Sequence, residues 1–189
     1  ALVGAFLKKR EEVRGIAVPS SRIDDELLLR LKIIKKTGRK LNVTNAGLLF
    51  FGKSPQKVFG FARVHLVHFL DVDMQRYSDQ RMFEGSAWKI VEAVESYLRD
   101  NMRRSGGGKK GFARTERFEY PIEAVREALL NAMVHRNYFD AGDVKIFIMP
   151  NKLVIKNPGS FPPGVTPDVP EHRPRNPQLS QYFDDVGLI

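Results

Sequence analysis

The stretch EYPIEAVREALLNAMVHRNY, residues 119–138, decides how the rest of the chain is read. Tyr120-Pro121 closes an expected strand and opens a helix, with Pro121 in the first turn, where its missing N–H costs nothing. Ile122, Val125, Leu129, Ala132 and Met133 recur at helical spacing and form an apolar stripe. Glu127, Asn131 and His135 follow one another at helical repeat, each displaced by ~40° from the last, so they share another face. One helix thus buries one side and presents a carboxylate, an amide and an imidazole in a row on another. On the helix alone, a solvated face of ordinary polar residues explains that row at least as well.

Composition sets the bounds. A chain of 189 residues, 42% hydrophobic and 28% charged, can bury a real core as one large domain or two small ones. It has no cysteine, which excludes disulfides, thiolate catalysis and cysteine-ligated zinc. No apolar run reaches the length of a membrane span and no signal-peptide pattern opens the chain, so the expectation is a cytoplasmic protein with no membrane partner. The net charge of +9 favours a polyanionic partner: nucleic acid, a phosphorylated ligand or an anionic surface.

Residues 1–23 lack an initiator Met and read as a fragment entering mid-protein. Asp24-Asp25 is expected to cap a helix running to about Lys36, with Leu27, Leu28, Leu31 and Ile34 as its apolar face. Its last turn and exit carry Lys32, Lys35, Lys36, Arg39 and Lys40, and no acidic residue occurs from Leu27 to Leu70. Two readings stand: cations complementing the helix dipole, or a patch for DNA phosphates at Lys35, Lys36, Arg39 and Lys40. Thr44 or Asn45 caps a short helix, NAGLLFFG, which has no polar face for reading bases and therefore belongs to the core. Residues 62–70 read as a strand, and Ser86 to about Arg103 as a helix with Ile90, Val91, Val94 and Leu98 inward. RSGGGKKG, residues 104–111, reads as a connector that separates a unit at 1–104 from one at 112–189. Strands follow at Thr115–Tyr120, Val144–Met149 and Lys152–Lys156, and a short helix near Leu179–Phe183.

Two patterns are decoys. GLLFFGKS, residues 47–54, fits the phosphate-loop pattern, but its four variable residues would strand Leu and Phe in solvent around a nucleotide. Pro55 also removes an N–H from the turn that should follow. His65 and His68 would share a helix face, but on a strand their odd spacing turns them to opposite faces, away from a shared metal.

Glu127-x-x-x-Asn131 resembles the ligand-binding helix of the GHKL ATPases, the Bergerat-fold group that includes gyrase and the histidine kinases. More of the chain is covered by a likeness to the GHKL-like domain of RecG-related transcriptional regulators. YPIEAVREALLNAMVHRNY, then VKIFIM, KLVIKNPG and RNPQL carry it, and TNAGLLFFGKSP resembles the segment joining that domain to an upstream Schlafen/AlbA-type domain. The likeness spans roughly Asp25 to Ile189. It implies an α+β chain of two units: a connecting α+β domain, then an incomplete GHKL-like α/β sandwich with helices packed on one face of a mixed sheet. It implies an ATP-binding, DNA-associated transcriptional regulator that takes Mg²⁺ with ATP. In it Glu127 would activate water, Asn131 would hold nucleotide and Mg²⁺, His135 would extend towards the phosphates, Asn157 and Gly159 would form the adenine turn, and Arg175 would offer a cation. Homo-oligomerisation stays open. For His135 a simple helix-end cation, and for Arg175 a loop fastener, are the competing roles.

The departures from the family pattern bear on turnover. The D-x-G-x-G turn is here Asn157-Pro158-Gly159-Ser160-Phe161, without the carboxylate and with Phe161 for a glycine. The family's glycine-rich segment would follow Ile189, so weak ATP hydrolysis is expected only with that segment present. The alternative is a nucleic-acid or protein interaction module whose GHKL-like domain no longer binds nucleotide. Helicase activity has no support, because a motor needs a genuine phosphate loop.

Overall fold

The computed structural model describes residues 2–17, 23–110, 113–159 and 173–189, with backbone alone for 104–110 and 113–117. In chain order the elements are α1 (Leu2–Arg14), α2 (Asp25–Arg30), β1 (Ile34–Thr37), β2 (Lys40–Val43), α3 (Asn45–Phe51), β3 (Val64–Phe69), β4 (Tyr77–Phe83), α4 (Ala87–Asn101), β5 (Arg104–Lys110), β6 (Ala113–Phe118), α5 (Ile122–His135), β7 (Val144–Met149), β8 (Lys152–Lys156) and α6 (Pro177–Asp185).

The central sheet has the order β4-β3-β7-β8, with β3 and β7 parallel and the outer pairs antiparallel. Alternation along the strands sends Val64, Leu66, Val144, Ile146 and Ile148 to one face. There they join one core with Ile90, Val94 and Leu98 of α4 and Leu129 and Met133 of α5. This is the expected α+β arrangement, helices on one face of a mixed sheet. The strands come from both sides of the glycine-rich stretch, so the boundary expected at 104–112 runs beside a sheet and a core shared by the two halves. The stretch itself is no loose connector: Arg104–Lys110 is a strand paired with β6, with a register shift between Gly106 and Lys109.

The basic segment after Asp24 departs from the expected helix. Asp24 does cap it, accepting from the Leu27 N–H, but the helix stops at Arg30. Lys32 takes φ 57, and the Lys32 and Ile33 amides turn back to Leu29 O and Leu28 O. That double bond closes the helix in the manner usually reserved for glycine. β1 and β2 then form a hairpin turned at Gly38, φ 62. β-branched Ile33, Ile34, Thr37 and Val43 favour extended backbone, which outweighs the helical spacing of the leucines before them.

Gly47 explains the false phosphate loop. A Cβ there would lie 2.3 Å from Ile33 O, so α3 packs its backbone onto the chain, with Thr44 capping through the Gly47 N–H and Leu49 and Phe50 buried. His65 and His68, three residues apart on β3, lie on opposite faces, as expected. Pro121 is the N-cap of α5, one position earlier than expected.

Beyond the β1–β2 hairpin, three elements were not anticipated. α1 inserts Phe6, fully buried, against Phe50, Phe51 and Tyr182, and ties to α6 through Arg10–Asp185 (3.3 Å) and Arg14–Asp184. β4, whose sequence is largely polar, forms a sheet edge. β5 is the third.

Candidate functional site

The C-terminal end of α5 is where polar residues converge. The helix ends at His135, and Arg136 turns to extended backbone (φ −65, ψ 153). Arg136 is 1% exposed and donates from Nη1 to Phe61 O (2.7 Å) and from Nη2 to Gly142 O (2.9 Å), its guanidinium 4.7 Å from the Tyr138 ring centre. Burial pulls its pKa below the ordinary arginine value, with Tyr138, Asp143 and Asp140 acting the other way. The Tyr138 hydroxyl donates to Met133 O (3.0 Å), and burial pushes its pKa up. Asn176 fastens the open helix end: its side-chain amide donates to Val134 O (2.8 Å) and Arg136 O (2.9 Å), and its backbone N–H to Val134 O (3.1 Å). These are carbonyls that a helix terminus leaves without partners.

The same corner holds the turn after β8. The Asn137 N–H donates to Pro158 O (3.1 Å), and a Cβ on Gly159 would meet Asn137 N at 3.3 Å. Gly159 has φ +114, so glycine answers both the backbone conformation and the close approach. The structure therefore brings Asn157-Pro158-Gly159 against the end of the helix that carries the polar row. Asn157 and Gly159 are exposed; His135 is half-buried. Further up α5, Glu127 and Asn131 are exposed on the solvent face, and neither side chain makes a hydrogen bond among the described residues.

Arg175 is placed elsewhere. It lines a cleft of about 200 Å³ with Asn45, Phe59, Tyr138, Phe139 and Gln178, and none of Glu127, Asn131, His135, Asn157 or Gly159 borders that cleft. Phe161 lies outside the described residues. The four hairpin cations are all exposed but do not form one cluster. Register puts Lys35, opposite Asn42, and Lys40, opposite Thr37, on one face, Lys36 on the other, and Arg39 in the turn.

Arg136 and Asn176 are the residues that sequence reasoning passed over. Both stand in stretches already singled out, HRNY and RNP. Only the loss of helical dihedrals at Arg136, which leaves carbonyls to be capped, shows which of those polar side chains turn inward.

For Mg²⁺ with a nucleotide, the donor set fits. Among the described residues no group of three or more His, Cys, Asp or Glu could hold a metal by itself. A single amide oxygen at Asn131 beside open solvent suits a hard cation that keeps waters and takes its other ligands from phosphates.

Residues 142–189, which include β7, β8 and α6, match the family described as "Putative ATP-dependent DNA helicase recG C-terminal". The match supports an ATPase-like, RecG-related domain there; α5, with Glu127 and Asn131, lies before it. Among solved structures, the DIP2311 protein from Corynebacterium diphtheriae superposes with a TM-score of 0.72 at 23% identity over 100% of this chain. The chain spans 38% of the length of that protein, and the likeness is one of fold. No curated protein matches. No helix among the described residues is long and apolar enough to cross a membrane.

Proposed function

We propose that this chain is an adenine-nucleotide-binding module of a DNA-associated regulator, with Mg²⁺ and ATP taken on the exposed face of α5. The observation that carries this reading is the Asn137–Pro158 bond, which fixes the Asn157–Gly159 turn at the end of the helix bearing Glu127 and Asn131. The family match over 142–189 adds to it.

In this reading each residue has one task. The Asn131 amide oxygen would be a neutral ligand for the cation. Glu127, one turn earlier, would stand as general base for a water beside the phosphates. Asn157 accepts a hydrogen bond from the adenine amino group, weaker than a carboxylate would give. His135, half-buried at the helix end, borders the phosphate side. Arg175 serves the neighbouring cleft. When bound, ATP with Mg²⁺ supplies the phosphoanhydride and the charge that neutralises it.

A second reading has its own support. Gly159 is accounted for by its φ of +114 and its contact with Asn137, without a nucleotide, and the turn lacks a carboxylate, as a GHKL-like domain without nucleotide would. Equilibrium titration separates the two. The proposal expects saturable ATP binding that strengthens with Mg²⁺ over EDTA and exceeds that of GTP. Absence of saturation, or equal binding of GTP, overturns it.

A further inference from the structure

The face of the central sheet turned away from α4 and α5 has a composition the nucleotide reading leaves unused. Parallel and antiparallel register set His65 beside Lys145 beside Lys156 in one row, and Val67 beside Phe147 beside Val154 in the next. Met149 stands opposite Lys152 at the end of the β7–β8 pair. Val67 and Met149 are buried yet stand outside the main core cluster, so they belong to a second, shallow apolar layer on this side. Phe69 and Phe147 are half-buried there, ring centres 5.7 Å apart at 71°, and Lys156 Nζ lies 5.9 Å from the Phe147 ring centre. Tyr77, opposite Phe69 on the edge strand, is 58% exposed.

Among the described residues the charge on this face is of one sign. Lys145, Lys152 and Lys156 are exposed upon it. Asp79 is the sole carboxylate in the four strands, and it lies on the helix side, accepting from the Tyr97 hydroxyl of α4 (3.1 Å) and from Arg81 (3.0 Å). Asp71, just past β3, is engaged by the Gln75 N–H and Arg76. A protein partner would have to bring its own carboxylates to each lysine. A single strand of nucleic acid brings a regular row of phosphates and bases with apolar faces.

We propose that this sheet face is a platform for single-stranded nucleic acid, with Phe69 and Phe147 stacking bases and Lys145, Lys152 and Lys156 contacting the backbone. Each lysine is long enough to reach a phosphate while its stem covers the apolar layer. The platform is separate from the α5 site and needs no nucleotide. It also concentrates the cations that the β1–β2 hairpin splits between two faces and a turn.

The test uses a fluorescein-labelled oligo-dT of about fifteen nucleotides, near the upper end of single-strand site sizes and long enough to cross the platform, followed by anisotropy without ATP. A duplex of equal length and vesicles containing anionic lipid are run beside it. The proposal expects saturable binding to the single strand, tighter than to the duplex. Phe147→Ala and Phe69→Ala should each weaken it on the order of tenfold. Replacing Lys145, Lys152 and Lys156 together by Gln should flatten the slope of log affinity against log salt by about 2. These three side chains are exposed, so the Gln variant stays informative if a Phe variant unfolds. The proposal is overturned if binding is absent, if the duplex or the vesicles bind better, or if face variants leave oligo-dT binding unchanged while neutralising Lys35, Lys36, Arg39 and Lys40 abolishes it.

Discussion

Two regions of one helix use polar residues in opposite ways. At the end of α5, Arg136, Tyr138 and the facing Asn176 spend their donors on backbone carbonyls of the fold itself. One and two turns earlier, the Asn131 and Glu127 side chains make no hydrogen bond among the described residues and stand exposed. The first region is a structural latch, because an unfilled carbonyl in a buried corner costs more than ordering one side chain. The second has no structural task, and residues held rigidly in place without one are where a ligand can be met.

That contrast can be broken most forcefully at Arg136. Arg136→Met leaves Phe61 O and Gly142 O without donors, partly offset by removing a buried charge, for a net loss of about 2–3 kcal/mol. Thermal unfolding should fall by roughly 4–12 °C. Gly159→Ala comes next: with φ +114 and Asn137 N at 3.3 Å, the turn must shift, costing about 1–3 kcal/mol in chemical denaturation. Asn176→Ala removes two side-chain bonds from the helix end but keeps the backbone one, a loss of about 1–2 kcal/mol by the same measurement.

Smaller and pH-dependent is the tie between α4 and α5. Burial alone would raise Glu95, but hydrogen bonding and charge from Arg99 and Arg126 more than offset it and hold its pKa below the usual value. A carboxylate depressed on folding adds stability above its unfolded pKa and loses it as pH falls through the folded value. Denaturation midpoints should therefore decline on acidification below about pH 4. Glu95→Gln should remove under about 1 kcal/mol near neutrality and flatten that decline. Glu127→Gln should change stability by less than about 0.5 kcal/mol, the smallest effect of the set.

Legibility in the sequence followed the strength of the local pattern. α4, α5, β7 and β8 were readable because each alternates or repeats with a clear apolar period, and the cap of α3 was readable as Thr44 or Asn45. β4 was not, since YSDQRMF is an edge strand whose order comes from pairing with β3 rather than from its own apolar residues. α1 was hidden because only Phe6 and Leu7 are buried along it. The hairpin at 34–43 was misread because leucines at helical spacing run directly into it, and the stop is made by Lys32 in a conformation that sequence associates with glycine. β5 was hidden by three glycines, which local propensity assigns to a loop and strand pairing overrides.

For the candidate site, the row on α5 was visible as spacing, and the adenine-turn role of Asn157 and Gly159 came through family resemblance; that the turn lies beside the helix end is seen in the Asn137–Pro158 bond. The latch was not visible: nothing in HRNY says that Arg136 turns inward while Asn137 gives its N–H to a turn some twenty residues on.

The most direct test of the contrast is to measure Mg²⁺-dependent ATP affinity and unfolding stability on the same preparation of the Asn131→Ala variant. The account predicts affinity lowered about tenfold or more, the scale of one lost ligand interaction, with stability unchanged. Affinity equal to the parent protein's, or a loss that only tracks unfolding, would contradict it.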